Sequence, residues 1–283
     1  MRFKGSHHIR YSYSLPVFLE PQFLRLRPRN DTSQQVIEFS MSIEPQPAGS
    51  HDLLDAEGNL ATSLWFEEKT DSLVISTSFE VRTLCVNPFG FLMTDNAFFQ
   101  LPASYAGIDA AVLVPFLEAA DPGSEIEVFV KPLVEKAGGN TLEFLALLNS
   151  AIYENFTVEI REEGPPLSSV LTLRRKQGSC RDFAVLFIAA CRSVGLAARF
   201  VSGYQEGDPD MTQRHLHAWV EVYIPGGGWR GYDPTHGLAV ADRHIVVAAS
   251  YHPMGASPAT GTFRGTGSTA SMDYSIDLRS IPE

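Results

Sequence analysis

Gly178-Ser179-Cys180-Arg181-Asp182-Phe183 places a cysteine where an apolar helical run, 183–194, begins. A helix start leaves backbone N–H groups unpaired and carries the positive end of the dipole, so a thiol there ionises more readily than a free one. Arg181 adds positive charge and Asp182 opposes it. Downstream, His217-Ala218-Trp219-Val220-Glu221-Val222-Tyr223-Ile224 alternates. The period of two sets His217, Trp219, Glu221 and Tyr223 on one face of a strand, with the aliphatic residues on the core face. After the turn at 225–228, Trp229-Arg230-Gly231-Tyr232-Asp233-Pro234-Thr235 returns as the next strand, and Asp233 ends it beside the strand that carries His217. Taken singly, each residue has an ordinary reading: a small buried Cys, a core or surface His, an Asp that opens a turn before Pro. Taken together they supply a nucleophile, a base and an orienting carboxylate.

The chemistry that follows is acyl transfer. His217 holds or takes the proton of Cys180, Asp233 fixes the imidazole tautomer, and the thiolate attacks an acyl carbon to give a thioester. His217 then protonates the leaving amine, and water or a second amine resolves the intermediate. The Cys180 N–H can donate to the oxyanion; Tyr153, Gln177 and Tyr204 are weak candidates for a second donor. Cys85 and Cys191 have no such setting. If Ile224 pairs with Trp229, Asp233 falls opposite Val220 and faces away from His217, so the expected hairpin needs a bulge at the glycines of 226–228.

Two element patterns must position these residues. Alternating or β-branched runs at 8–13, 23–28, 36–43, 63–66 and 73–86, separated by Pro, Asn-Asp and Gly-Asn turns, predict a small β-sandwich. The pattern changes near Leu101. Residues 141–155 read as an amphipathic helix and 183–194 as a buried one stopped by Gly195. Strands follow at 197–204, 217–224, 229–233, 243–249 and 272–278, and 255–271 reads as a mobile loop. Helices followed by strands predict an α+β fold, helices packed on one side of an antiparallel sheet. The cut falls between about 100 and 115, giving an N-terminal β domain of 1–105 and a catalytic domain of 106–283.

Composition narrows the function. With 44% hydrophobic and 19% charged residues, the 283-residue chain can bury a large core. Its net charge of -11 disfavours nucleic acid and anionic lipid, and the one basic cluster, Arg174-Arg175-Lys176, is too small for such a footprint. An odd count of three cysteines and the lack of a signal-like or spanning apolar run predict reduced thiols in a cytoplasmic protein. The sequons at Asn30 and Asn155 then carry little meaning. The expected partners are a peptide, protein or small amide substrate, with no cofactor, nucleic acid or membrane.

Residues of about 140–240 resemble the transglutaminase-like core of papain-type cysteine enzymes, in particular bacterial proteins described as cysteine proteases. The likeness rests on Gly178 with Cys180, Asp182, Phe183 and Ala184; on Cys191-Arg192-Ser193-Val194-Gly195-Leu196-Ala197-Ala198-Arg199; and on Ser202-Gly203-Tyr204, His217-Ala218-Trp219 and Asp233-Pro234-Thr235. The front half resembles, more loosely, the β domain that precedes this core in the bacterial subfamily, through Tyr11-Ser12-Tyr13-Ser14, Leu24-Arg25-Leu26-Arg27-Pro28-Arg29 and the turn from Asp55 to Asn59. The resemblance implies Cys180, His217 and Asp233 as nucleophile, base and acid, and a Cys-bearing helix on an antiparallel sheet. It departs at Val158, where the family usually has Tyr.

The leading expectation is a cysteine peptidase or amidohydrolase, and the alternative is a transglutaminase. Two readings of other classes stand beside them: a metal site drawing on His215, His217, Asp233 and His236, and a non-catalytic binding module on the same fold.

Overall fold

In the computed structural model, which describes residues 1–118, 124–161, 164–207 and 214–281, the chain opens on six strands. They are β1 (Arg2–Leu19), β2 (Gln22–Leu24), β3 (Gln34–Glu44), β4 (Gly49–Leu54), β5 (Leu60–Trp65) and β6 (Lys69–Thr83). Helices α1 (Gly107–Val112), α2 (Val114–Leu117), α3 (Ser124–Lys136) and α4 (Thr141–Asn155) follow, then β7 (Thr157–Val158), α5 (Ser169–Arg175), β8 (Gln177–Gly178) and α6 (Cys180–Ser193). The rest is β9 (Ala198–Gln205), β10 (His217–Ile224), β11 (Gly228–Asp233), β12 (Leu238–Ala239), β13 (His244–Ser250), β14 (Ala259–Thr260), β15 (Phe263–Arg264) and β16 (Ala270–Ile281).

The expected α+β architecture is present. An antiparallel sheet in the order β12-β11-β10-β9-β13 carries α6 on one face. Ala218, Val220, Val222 and Ile224, the aliphatic half of the β10 alternation, pack with Phe183, Ala184, Leu186 and Phe187 of α6 and with Leu145 and Leu148 of α4 in one core. Helix α4 spans the residues its apolar spacing predicts, and Asn140 starts it by accepting from the Glu143 N–H at 3.0 Å. No helix among the described residues is long and apolar enough to cross a membrane.

The front strands form two sheets, β15-β1-β6-β3 with β16 also on β1, and β14-β2-β5-β4. Ile9, Leu73 and Ile75 of one meet Leu24 and Leu64 of the other, the interior of a sandwich. Here the sequence reading needs correction. The last strands, assigned to the domain of 106–283, pair with the front sheets: β16 runs antiparallel to β1 from Arg2↔Ile281 to Tyr13↔Ala270, and β14 pairs with β2. Part of 255–271, expected as a loop, is strand for the same reason, since β14 and β15 edge the two front sheets. A local pattern records that a segment is extended; it does not record which sheet accepts it.

The sandwich covers the second face of the sheet that carries α6. Phe3, Phe79, Val81 and Leu278 pack against Tyr204, Ile245 and Val247. Asn59 joins β13 by donating to the Ala249 carbonyl and accepting its N–H, at 2.9 and 2.8 Å, and Gln34 does the same at Val246. Of the polar face predicted for β10, His217, Trp219 and Glu221 are therefore buried and Tyr223 is half-buried.

Candidate active site

Helix α6 begins at Cys180, three residues before the apolar run, because Ser179 and Asp182 close its first turn. Asp182 accepts from the Ser179 N–H at 2.8 Å and the Ser179 hydroxyl at 2.9 Å. Its other oxygen accepts from the Leu167 N–H at 2.7 Å and from Arg161 at 2.6 Å. A fully buried carboxylate with four donors thus ties the 161–167 segment to the turn that presents the thiol. Gly178 is required there: a Cβ would lie 2.8 Å from that of Asp182.

Strand β10 brings His217 to this helix start, and β11 brings Asp233 to His217. The hairpin register differs from the one expected: Ile224 pairs with Gly228 rather than Trp229, and Val220 with Tyr232. That one-residue change carries Asp233 to the level of Trp219, on the face His217 shares, so no bulge is needed. His217 Nε2 donates to Asp233 Oδ2 at 2.8 Å. Its other nitrogen remains for the Cys180 thiol, and each of the two groups shifts the other's pKa. Gly203 leaves room for the packing behind: a Cβ there would sit 2.6 Å from the Trp219 ring, which stacks on His217 with centroids 6.0 Å apart.

Two further imidazoles converge on Asp233. His236 Nδ1 reaches Oδ2 at 2.8 Å and His244 Nε2 at 3.0 Å, while Oδ1 accepts the N–H groups of Thr235 and His236 at 3.0 and 3.3 Å. A carboxylate has no proton to give, so each ring nitrogen is the donor. His236 had been flagged in the sequence only as a metal ligand. His244 was missed because it lies in an ordinary apolar strand, β13, that pairs with β9. His215, the other histidine of the metal reading, stands apart on the Tyr274 hydroxyl at 2.6 Å. The ligand atoms of His217, Asp233 and His236 lie within 4.8 Å of one another, a closeness their mutual hydrogen bonds account for.

Electrostatics favour an ion pair. Burial alone would raise the Cys180 thiol, but the hydrogen bond and charge of His217, the Ala218 N–H and Arg181 outweigh it and the pKa is lowered. Burial would lower His217, yet the charge and hydrogen bond of Asp233, then those of Cys180, raise it to about 10. Asp233 is held well below the usual carboxylate range: burial opposes its charge, and His217, His236 and His244 overcome that. Cys191 is buried within α6 and burial pushes its thiol up.

The thiol and imidazole open into a cleft of roughly 780 Å³. Tyr153, Gln177 and Tyr204, named as second oxyanion donors, do not line it. Tyr204 is buried at the interface between sandwich and core, and its hydroxyl bonds His7 Nδ1 at 3.1 Å. Val158, which stands where the family has Tyr, does line the cleft. Arg174, of the basic cluster, is paired with Glu125.

Residues 129–234 match the family model of the transglutaminase-like superfamily, and 4–82 match the bacterial transglutaminase-like N-terminal region. Uncharacterized protein Rv2569c of Mycobacterium tuberculosis is 29% identical over 296 residues, covering 98% of this chain and 92% of that protein. A protein-glutamine gamma-glutamyltransferase of Pseudomonas aeruginosa is 35% identical over 71 residues, 23% of this chain and 11% of that one. In fold, the crystal structure of a "Putative Cysteine Protease" from Cytophaga hutchinsonii superposes with a TM-score of 0.74 at 22% identity, covering 100% of this chain and 91% of that one. Over these residues the chain fits the transglutaminase-like family, with the bacterial N-terminal region ahead of its core.

Proposed function

We propose that this chain is a cysteine peptidase or amidohydrolase that cleaves an amide through a thioester on Cys180, with His217 as general base and acid and Asp233 as the orienting carboxylate. The family and fold support a papain-like cysteine peptidase or acyltransferase. The observation that carries the finer reading is one imidazole that is bonded to a buried carboxylate, shares the cleft with the Cys180 thiol and lowers that thiol's pKa. The thiolate attacks the acyl carbon, the amide C–N bond breaks as His217 passes its proton to the leaving nitrogen, and water adds to the thioester to release acid and restore the thiol. The Cys180 N–H, at the first turn of α6, supports the oxyanion.

The runner-up is a protein-glutamine acyltransferase, the activity named for the Pseudomonas aeruginosa relative. It shares the first half-reaction and resolves the thioester with an amine. Hydrolysis is favoured because Asp182 and Glu221, the acids nearest the triad in sequence, and Glu159, which lines the cleft, each already face an arginine. The test combines a peptide and amide library with detection of liberated amine and of acyl-Cys180 by mass. With a glutamine peptide and excess primary amine, acid should exceed conjugate with or without calcium. Conjugate as the main product moves the chain to the runner-up; no acylation of Cys180 by any substrate makes it a binding module.

A further inference from the structure

The cleft beside Cys180 is lined from two parts of the fold, and apolar residues come from both, Val158, Ile160, Phe200 and Met254 among those of the core. Its charged residues among those described, Glu159, Arg161, Arg181 and Arg214, all come from the core. The other part of the lining is built by the first and last strands, β1 and β16. On β1, residues 7, 9 and 11 point to one face, and across β16 they pair with Ile276, Tyr274 and Met272. His7, Ile9, Tyr11, Met272 and Tyr274 line the cleft and bring no carboxylate, ammonium or guanidinium to it. His7 is neutral as well, since burial and the neighbouring His8 push it down to about 4.

This wall continues an interface. Phe3, two alternations before His7, is fully buried between sandwich and core, and His7 is bonded to Tyr204 of β9. The same face of β1 first joins the two parts and then, from His7 onward, borders both the sandwich interior, where Ile9 packs, and the space into which the thiol opens. Met272 remains 37% exposed there, and Met254 on the core side 56%, apolar surface left open to water beside a nucleophile.

We infer that the β1–β16 wall is a specificity subsite that receives a bulky apolar or aromatic side chain of the acyl donor, so that the substrates are peptides or amides carrying such a residue next to the bond attacked. The inference rests on the proposed thioester chemistry. It gives the front domain a role in choosing the substrate as well as in supporting the sheet.

The experiment compares kcat/KM for N-acyl-aminoacyl anilides that differ only in the acyl-donor residue: Phe and Leu against Gly, Asp and Lys. Phe or Leu should exceed Gly, Asp and Lys by about tenfold or more. Met272→Ser and Tyr11→Ser should each shrink that preference severalfold, while the iodoacetamide labelling rate of Cys180 and the melting temperature of Met272→Ser stay at wild-type values. Met272→Lys, on an exposed strand position, should raise the Asp substrate relative to Phe. Turnover without apolar preference, or variants that lower all substrates equally, would overturn the subsite while leaving the thioester mechanism in place. No turnover and no acyl-Cys180 with any anilide, ester or thioester would instead sink the mechanism.

Discussion

One carboxylate oxygen accepting from three imidazoles sets the state of the thiol two bonds of the relay away. Asp233 stays ionised, its charge keeps His217 protonated to about 10, and the imidazolium in turn lowers Cys180. A pH consequence follows with a definite sign. A free cysteine gains roughly twentyfold in thiolate between pH 7 and 9, whereas Cys180, whose pKa is lowered by His217, should gain less in its rate of labelling by iodoacetamide over the same interval. Peptide mapping should find Cys180 modified ahead of Cys85 and Cys191; a steep rise with pH would show that the ion pair is absent. His217→Ala should abolish turnover, by at least about 10⁴-fold, and restore the steep labelling profile, while Asp233→Asn should leave measurable activity. Three of these residues were readable in sequence because each sits at a punctuation point: a cap, a strand start, an Asp-Pro. His244 had no such mark, and only the pairing of β13 with β9 brings it to Asp233.

At the scale of elements, the turn before α6 does the positioning. Asp182 is at once helix cap, ion-pair partner of Arg161 and anchor of the Leu167 N–H. Asp182→Ala removes all four bonds from a fully buried site and should cost about 3 kcal/mol in urea unfolding, with slower labelling of Cys180 than in wild type. Gly178→Ala should also destabilise, through the clash with Asp182, and Asp182→Gly should relieve part of that clash in the double variant. Additive losses would mean the two do not press on each other. The sequence foretold α4 to the residue because cap and apolar stripe agree. It set Cys180 at the start of α6, ahead of the apolar run of 183–194, which is where the helix begins. Helices α3 and α5 were missed: α3 contains Pro132 and exposes Val128, which blurs its stripe, and α5 is only seven residues long. The hairpin register went wrong by one because glycine spacing does not say how many residues the turn consumes; three do, 225–227.

Over the whole molecule, the sheet that carries α6 is held between that helix and a sandwich that needs both ends of the chain, and Glu221 is a buried charge at that junction. The alternation of β10 placed Glu221 beside His217 and Trp219, but the partner that covers it comes from 192 positions away: Arg29 of the front domain donates at 3.2 Å, and Arg199 of β9 at 2.8 Å. No local pattern carries that information. Burial would raise the Glu221 carboxyl, yet the charges of Arg199 and Arg29 and their hydrogen bonds lower it to about 2. A carboxylate depressed in the folded state stabilises above its unfolded pKa and loses that stabilisation as pH falls toward the folded value. The contribution of Glu221 is therefore complete above about 4.5 and fades between there and about 2, and its size is roughly 3 kcal/mol. Glu221→Gln should lower the melting temperature at pH 7, where two arginines lose their counter-charge, and the gap from wild type should close as the pH is taken down through 4 toward 2. Asp233 and the other carboxylates titrate in both proteins, so the difference between the two curves isolates Glu221. Parallel curves, or a variant as stable as wild type at pH 7, would mean that apolar packing around Phe3, Phe79 and Tyr204 alone holds the front domain to the catalytic sheet.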